Sequence, residues 1–243
     1  MLFRTSIFAF ALCALGVSAT SAAELRKGPK AVLELFTSQG CSSCPTADAL
    51  LDKLSRRSDI VALAYHVDYW DYIGWPDTFG AKANSDRQRD YAEGFGSARI
   101  FTPQLVVNGR GSVVASREGE VDAALAAAAL PVTIDLTVGD DGMLQISVPP
   151  GEGKREAVMW LVTFVDRAEV EIERGENKGK TVAYTQIVTD RQVLGMWEST
   201  TGAEMRMPIG ELLNKPANGI AVLIQEERNG MPGPILGAAS FVQ

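Results

Sequence analysis

The stretch Gly40-Cys41-Ser42-Ser43-Cys44-Pro45 lies between an apolar run, Ala31 to Phe36, and a helical pattern, Thr46 to Leu54. Two thiols at positions i and i+3, where a helix begins, can close a small disulfide. Cys41 would then lie beside unpaired backbone N–H groups, which favour a negative charge. Because such sites lower a cysteine pKa from about 8.5 to roughly 3.5–7.5, the spacing predicts a reactive thiolate at Cys41.

The residues around this motif have the pattern of a βαβ unit. The apolar run before it predicts a buried strand, and Pro45 suits the first turn of a helix. Asp48 and Asp52 are expected on the polar face of that helix. A second apolar run, Ile60 to Val67, predicts a strand covered on both faces. Further on, Asp77 to Tyr91 is expected to be a polar helix with Asp77 as its N-cap.

The next segment predicts a β-hairpin and a helix. Asn108-Gly109 favours a tight turn between two short strands within residues 104–115. An alanine-rich helix follows from Gly119 and ends before Pro131. Residues 24–131 are therefore predicted to form an α/β domain, a mixed sheet flanked by helices.

The pattern changes after residue 131. Apolar residues alternate strictly from Val132 to Val148 around a Gly-Asp-Asp-Gly turn, which predicts a hairpin with one buried face. Further short strands are expected at residues 157–165, 169–173, 181–189, 193–197, 203–207, 219–225 and 235–242. Their even spacing predicts an all-β, antiparallel, sandwich-like domain over residues 132–243. Without a low-complexity linker between them, the two domains are expected to pack directly.

Residues 1–23 have the pattern of a signal peptide. Arg4 supplies the positive start, Ile7 to Val17 the apolar run, and Ser21-Ala22-Ala23 the small residues before a cleavage site. The run is short for a bilayer span, so we expect cleavage and no stable membrane insertion, with an uncleaved anchor as the alternative. The mature chain is thus expected to be periplasmic or secreted.

The net charge and the cysteine content exclude some classes of function and favour others. The formal net charge is −7, so no basic field attracts nucleic acid or anionic lipid. After cleavage, Cys41 and Cys44 are the two remaining cysteines. A disulfide across so short a loop removes little entropy from the unfolded chain, which makes a redox pair a better explanation than a structural bridge.

A Cys-x-x-Cys that opens a helix after a strand, followed by a Thr-Pro pair before a hairpin, resembles the thioredoxin superfamily over residues 31–130. The resemblance implies that Cys41 is the attacking thiol and Cys44 the resolving thiol. It also implies that Pro103 is a cis-proline facing the two cysteines, with the Thr102 backbone pairing to an extended substrate.

A narrower resemblance covers nearly the whole mature chain. Glu34 to Pro45, His66 to Pro76 and Arg174-Gly175-Glu176-Asn177 resemble a bacterial exported family catalogued as domain of unknown function 1223, whose name supplies no activity. The chain departs from thioredoxins at two positions. Gly40 stands where thioredoxins have an aromatic residue, and Leu35 aligns with their buried acid unless the turn is one residue longer.

Two further side chains are candidates for proton transfer. His66, near the end of the second strand, can assist a leaving thiolate or ligate a metal; otherwise it is a partly buried histidine bonded to Asp68 or Asp71. Glu34, the acid in the alternative alignment, lies within an apolar strand. It can relay protons to Cys44 if it is buried, or it faces outward or pairs with an arginine.

For two other segments the sequence allows two roles each. The aromatic segment, Tyr69 to Trp75, is expected to pack between the domains, and the alternative is a groove that receives a peptide. The Arg174 to Lys180 loop is expected to be a solvated hairpin loop, and the alternative is an anion site.

The sequence therefore predicts an exported thiol–disulfide oxidoreductase that acts on protein or small thiol substrates with a redox partner and no bound cofactor or metal. Zinc would need two further ligands, and the chain has one histidine. The alternatives are a non-catalytic binding module with a structural disulfide, or Cu(I) handling by the two thiolates. The redox interpretation requires the Cys41 sulfur to be open to solvent and close to both the helix start and Pro103.

Overall fold

The computed structural model describes residues 24–213 and 216–243, so the signal peptide predicted at residues 1–23 lies outside it. The strands are β1 (Glu24–Lys27), β2 (Ala31–Thr37), β3 (Ile60–His66), β4 (Gln104–Val107), β5 (Gly111–Val114), β6 (Asp135–Val138), β7 (Met143–Val148), β8 (Glu156–Glu171), β9 (Thr181–Glu198), β10 (Ala203–Pro208), β11 (Gly219–Arg228) and β12 (Met231–Val242). The α-helices are α1 (Cys44–Ser55), α2 (Lys82–Gly94), α3 (Glu118–Ala126) and α4 (Ile209–Leu212), and Asp71–Ile73 form a 3-10 turn. Among these residues, no helix combines the length and apolar composition that a membrane crossing requires.

The main sheet is mixed and, in the described chain, has nine strands in the order β1-β12-β11-β8-β9-β3-β2-β4-β5. β2 pairs parallel with β3 and antiparallel with β4. β9 pairs parallel with β3 through Ala64 and Ile187. The sequence predicted two directly packed domains, residues 24–131 and 132–243. The strands of the two halves continue into one sheet, joined by the β3–β9 pair and by the antiparallel pairing of β1 with β12.

A second sheet, ordered β10-β7-β6, covers part of the main sheet. Both of its strand pairs are antiparallel. Alternate residues on β6 and β7, including Leu136 and Ile146, pack against Leu161 of β8 and Val222 of β11. Residues 132–243 thus form two packed β-layers, one of which belongs to the sheet that β2 and β3 also build.

Helices cover the two faces of the β2–β3 region. Leu33 and Leu35 pack with α1 and α3, whereas Val32 and Phe36 pack with Tyr91 of α2. Side chains along a strand alternate between the faces, so neighbouring residues of β2 enter different cores. The α1 face is the one that holds the Cys-x-x-Cys motif.

Local sequence explains most of the element boundaries in the first half. Pro45 occupies the first turn of α1, where a missing N–H leaves no hydrogen bond unmade. The predicted hairpin turn is confirmed at Asn108 and Gly109, which have positive φ angles of 51° and 62°. A Cβ on Gly109 would lie 2.3 Å from the Gly233 carbonyl oxygen, so glycine is required by space as well as by conformation.

Several boundaries differ from the predictions; the alanine-rich helix, for example, ends at Ala126 rather than just before Pro131. The helix predicted from Asp77 begins at Lys82 instead, because the Asp77 carboxylate accepts the backbone N–H groups of Gln39 and Phe79. β8 and β9 each replace two predicted short strands. Register shifts between Met159 and Trp160, and again farther along β8, break the alternation without ending the pairing.

Candidate functional site

The Cys-x-x-Cys motif lies where β2 passes into α1. Cys41 and Cys44 form a disulfide, and Cys44 is the first residue of the helix, after the N-cap Ser43. The Cys41 N–H donates to the Ser38 carbonyl oxygen at 3.1 Å, which fixes the turn before the helix. The first sulfur therefore lies beside the helix start, as its position in the sequence predicts.

The Thr-Pro pair is linked to this motif through Trp70. The Thr102–Pro103 peptide bond is cis, the geometry that the resemblance implies. The Trp70 indole Nε1 donates to Thr102 Oγ1 at 2.8 Å. A Cβ built on Gly40 would lie 3.1 Å from the Trp70 Cβ. Trp70 thus touches both the residue before Cys41 and the residue before Pro103, in the space that an aromatic side chain at position 40 would occupy.

The disulfide is closed off from solvent. Cys41 is 1% exposed and Cys44 is 0% exposed, which contradicts the expectation that the Cys41 sulfur is open. Asn177 contributes to this cover, since its Nδ2 donates to the carbonyl oxygens of Gln39 and Cys41, each at 2.9 Å. Asn177 is itself buried.

The loop between β8 and β9 is therefore not simply a solvated hairpin loop. The two strands run far enough past α1 to bring Asn177 onto the Cys-x-x-Cys turn. Lys180 Nζ donates to Asn177 Oδ1 at 2.8 Å and orients the amide. We call residues 172–180 the cover loop.

His66 lies under the motif with a partner that the sequence did not identify. It is fully buried, and its Nδ1 is 2.8 Å from Asp77 Oδ2 rather than bonded to Asp68 or Asp71. The rings of Phe79 and Tyr184 pack against it edge-on. Within the part of the chain that the structure describes, His66 Nε2 has no hydrogen-bond partner.

Asp77 anchors the turn before Cys41. Burial raises its pKa, but attraction to His66 and the hydrogen bonds from His66, Gln39 and Phe79 hold the pKa below the usual value for aspartate. Its bond to the Gln39 N–H is 2.8 Å long. An ionised Asp77 thus joins the His66 ring to the backbone beside Cys41.

Asp48 is a buried carboxyl four residues after Cys44, so the two side chains lie on one side of α1. Thr37 Oγ1 donates to Oδ1 at 2.8 Å, while Oδ2 has no partner among the described residues. Burial raises the pKa of Asp48 to about 7, against attraction to His66 and the Thr37 hydrogen bond. The polar face predicted for Asp48 is wrong, because β9 packs against α1 and covers it.

Glu34 pairs with an arginine, which is one of the alternatives that the sequence left open. Its Oε1 is 2.6 Å from Arg87 Nη2, and its Oε2 accepts the Tyr91 hydroxyl. Gln225 of β11 completes the group by bonding Arg87 and Tyr91. All four side chains lie on the α2 face of the sheet, so the structure does not bring Glu34 to Cys44.

The aromatic segment contacts the motif through Trp70 and Trp75, whereas Asp68 is bonded to Ser85. Asp68 is half-buried and accepts a 2.5 Å hydrogen bond from Ser85, apart from the His66 ring. Trp75 Nε1 donates to Gln39 Oε1 at 2.8 Å, whereas Tyr72 is 81% exposed. Across residues 24–213 and 216–243, no group of three or more histidine, cysteine or acidic side chains is placed to hold a metal ion.

Comparisons with known proteins place the chain in a family. Residues 32–225 match the family described as "Protein of unknown function (DUF1223)". The chain belongs to this family. It is also similar to a protein from Agrobacterium tumefaciens known from an X-ray crystal structure, with 32% identity and a TM-score of 0.79 over 89% of this chain and 96% of that chain. The comparison with curated proteins finds no match.

The matched DUF1223 range contains every candidate residue named above. The resemblance to the DUF1223 family is therefore confirmed, and the family description carries no activity. Sequence reasoning missed the roles of Asp48, Asp77 and Asn177. A usable indication existed for two of them, since Asp48 is four residues after Cys44 and Asn177 belongs to one of the stretches that carry the resemblance.

Proposed function

We propose that this DUF1223 member is an exported, thioredoxin-like thiol–disulfide oxidoreductase that stores two electrons in the Cys41–Cys44 pair. The main support for this proposal is the buried carboxyl group of Asp48, which lies near Cys44. Burying a carboxyl group whose Oδ2 has no hydrogen-bond partner and whose pKa is about 7 lowers the stability of the fold. A purely structural disulfide across four residues does not require such a group. Such perturbed groups concentrate at sites of proton transfer.

The chemistry would proceed through a mixed disulfide. A thiolate of the substrate attacks Cys41 Sγ, the Cys41–Cys44 bond breaks, and Cys44 leaves with the electron pair and takes a proton from Asp48. A second substrate thiolate then attacks the first substrate sulfur, which is now bonded to Cys41 Sγ; the substrate disulfide forms, the bond to Cys41 breaks and Cys41 leaves as the thiolate. The substrate loses two electrons and the protein gains them; the reverse sequence reduces a substrate disulfide.

Attack on Cys41 requires the cover loop to move. Two hydrogen bonds from Asn177 hold it on the motif, and each contributes about 0.5–1.5 kcal/mol net. Breaking these two hydrogen bonds therefore costs about 1–3 kcal/mol, to which the packing of Ile172 adds, and contacts with a bound substrate would have to offset this cost. The closed disulfide is in this view the resting state of the protein.

A second candidate is a non-catalytic binding module whose disulfide stays closed. The 1% exposure of Cys41 favours it. The two candidates differ in whether Cys41 ever exchanges its partner sulfur in the cell.

Trapping separates the two candidates. Cys44→Ala leaves Cys41 without its resolving partner, so proteins or small thiols attached to Cys41 accumulate in the exporting cell. Cys41→Ala is the matched control and should show no adducts. We expect adducts in Cys44→Ala that a reductant removes. No adducts in natively folded Cys44→Ala, even when it is combined with Asn177→Ala, would favour the binding module.

A further inference from the structure

A cavity of about 450 Å³ opens beside α2 and β9. It lies between the residues that precede and begin α2 and the middle of β9. The two parallel strands β3 and β9 pair only at Ala64 and Ile187 and then separate, which leaves a crevice at the carboxyl end of β3. In open α/β sheets, such crevices are where ligands bind.

The walls of this cavity are mainly apolar, with two guanidinium groups among them. Phe79, Ile187 and Val188 supply the apolar surface. Arg87 and Arg191 supply the positive charges. The charge of Arg87 is already balanced, because it is paired with Glu34.

Arg191 is partly exposed and has no anion bonded directly to it among the described residues. Its guanidinium carbon lies 3.2 Å from the centre of the Trp160 ring, and no ion pair or hydrogen bond joins it to any other described residue. Its Nε is buried without a partner. Burial, followed by repulsion from Arg87, lowers the pKa of Arg191 to about 10. A cation held in this way lacks an anionic partner.

The other polar groups of the cavity limit the negative charge that a ligand bound to Arg191 can carry. Asp190 is exposed at the cavity wall beside Arg191, and its carboxylate repels a second negative charge. Thr78, Asn84 and Tyr65 line the remainder and are uncharged near neutral pH. One free guanidinium beside an exposed carboxylate fits a monoanion better than a dianion.

We propose that this cavity binds a small organic monocarboxylate, with its carboxylate paired to Arg191 and its apolar body against Phe79, Ile187 and Val188. A guanidinium fork matches a planar carboxylate with two parallel hydrogen bonds. Cavities of about this size hold small organic ligands. The proposal does not depend on the thiol chemistry proposed above, although the cavity adjoins its surroundings: Phe79 packs against His66, and Thr78 Oγ1 accepts a hydrogen bond from Gln39 Nε2.

Binding of hexanoate and benzoate to the full chain, measured by calorimetry, tests the proposal. Hexanamide and benzamide are the matched neutral probes, and inorganic phosphate is the dianion probe. We expect saturable binding of both acids and about tenfold or weaker binding of the amides, because the charge-assisted pair is absent. Equal binding of acids and amides, no binding of either acid, or binding of phosphate as tight as that of the acids would overturn the proposal.

Two variants locate the binding site. Arg191→Gln should weaken the binding of both acids by about tenfold or more, whereas Arg89→Gln removes an exposed arginine of α2 and should leave it unchanged. Unchanged acid binding in Arg191→Gln would contradict the assignment. The comparison of acids with amides needs no variant, so it decides the question even if Arg191→Gln does not fold.

Discussion

A carboxyl group that titrates near neutral pH lies one helical turn from Cys44. The pKa of Asp48 is about 7 in the folded protein, against 3.8 for an unperturbed aspartate. Between these two values the folded state holds more protons than the unfolded state. The free energy of unfolding therefore falls as the pH rises from about 4 to about 7, by an amount on the order of 4 kcal/mol, and then levels off.

Asp48→Asn should remove most of this pH dependence. The amide keeps the shape of the carboxyl and can still accept the Thr37 hydrogen bond, but it does not ionise. We expect urea unfolding to give similar free energies for the variant at about pH 5 and pH 8, whereas the parent protein loses several kcal/mol. Asp122→Asn, an exposed change on α3, should follow the parent. A variant that loses as much stability as the parent would contradict the assigned pKa.

Glu34 is paired with the buried Arg87 on the α2 face of the sheet. Glu34→Gln leaves the buried Arg87 without its counter-charge, so the free energy of unfolding should fall by about 3–5 kcal/mol. Glu24→Gln, which removes a largely exposed partner of Arg26, should cost about 1 kcal/mol or less in the same urea titration. A small loss in Glu34→Gln would show that the buried group is less tightly coupled than its geometry indicates.

At the scale of elements, local pattern was enough to predict the surroundings of the motif. Apolar runs predicted β2 and β3, Pro45 indicated the start of α1, and Asn108-Gly109 indicated the hairpin turn. The same patterns could not predict that β9 covers the polar side of α1. That contact joins residues more than 100 positions apart, and nothing near Asp48 in the sequence encodes it.

The cover loop yields a prediction of its own. Asn177→Ala removes both hydrogen bonds to the Cys-x-x-Cys turn, so a small reductant such as dithiothreitol should reduce the disulfide about tenfold faster or more. Lys178→Ala, an exposed change in the same loop, should react at the parent rate. The released thiols can be counted by alkylation and mass spectrometry. Equal rates in all three proteins would mean that Asn177 does not limit access to Cys41.

At the scale of the whole molecule, the two halves of the chain share one sheet. The composition change after residue 131 predicted a second domain, but composition does not reveal which strands pair across the boundary. The Ala64–Ile187 pair, the Arg87–Gln225 bond and the Asn177–Cys41 bond all cross it. These links join residues that are far apart in the sequence, so local sequence patterns do not predict them.

These links predict that residues 24–243 unfold as one unit. Far-ultraviolet circular dichroism and tryptophan fluorescence should give coincident urea transitions, since Trp70 and Trp75 lie before the boundary and Trp160 and Trp197 after it. Two separated transitions would indicate that the halves are independently stable despite the shared sheet.

The reduction potential of the Cys41–Cys44 pair tests the redox account most directly. Equilibration of the full protein in glutathione buffers, with the thiols counted by alkylation, gives this value. If the pair is redox-active, its potential should lie between roughly −270 and −120 mV, the range of thiol–disulfide oxidoreductases. A potential below about −300 mV, typical of structural disulfides, would contradict the redox account.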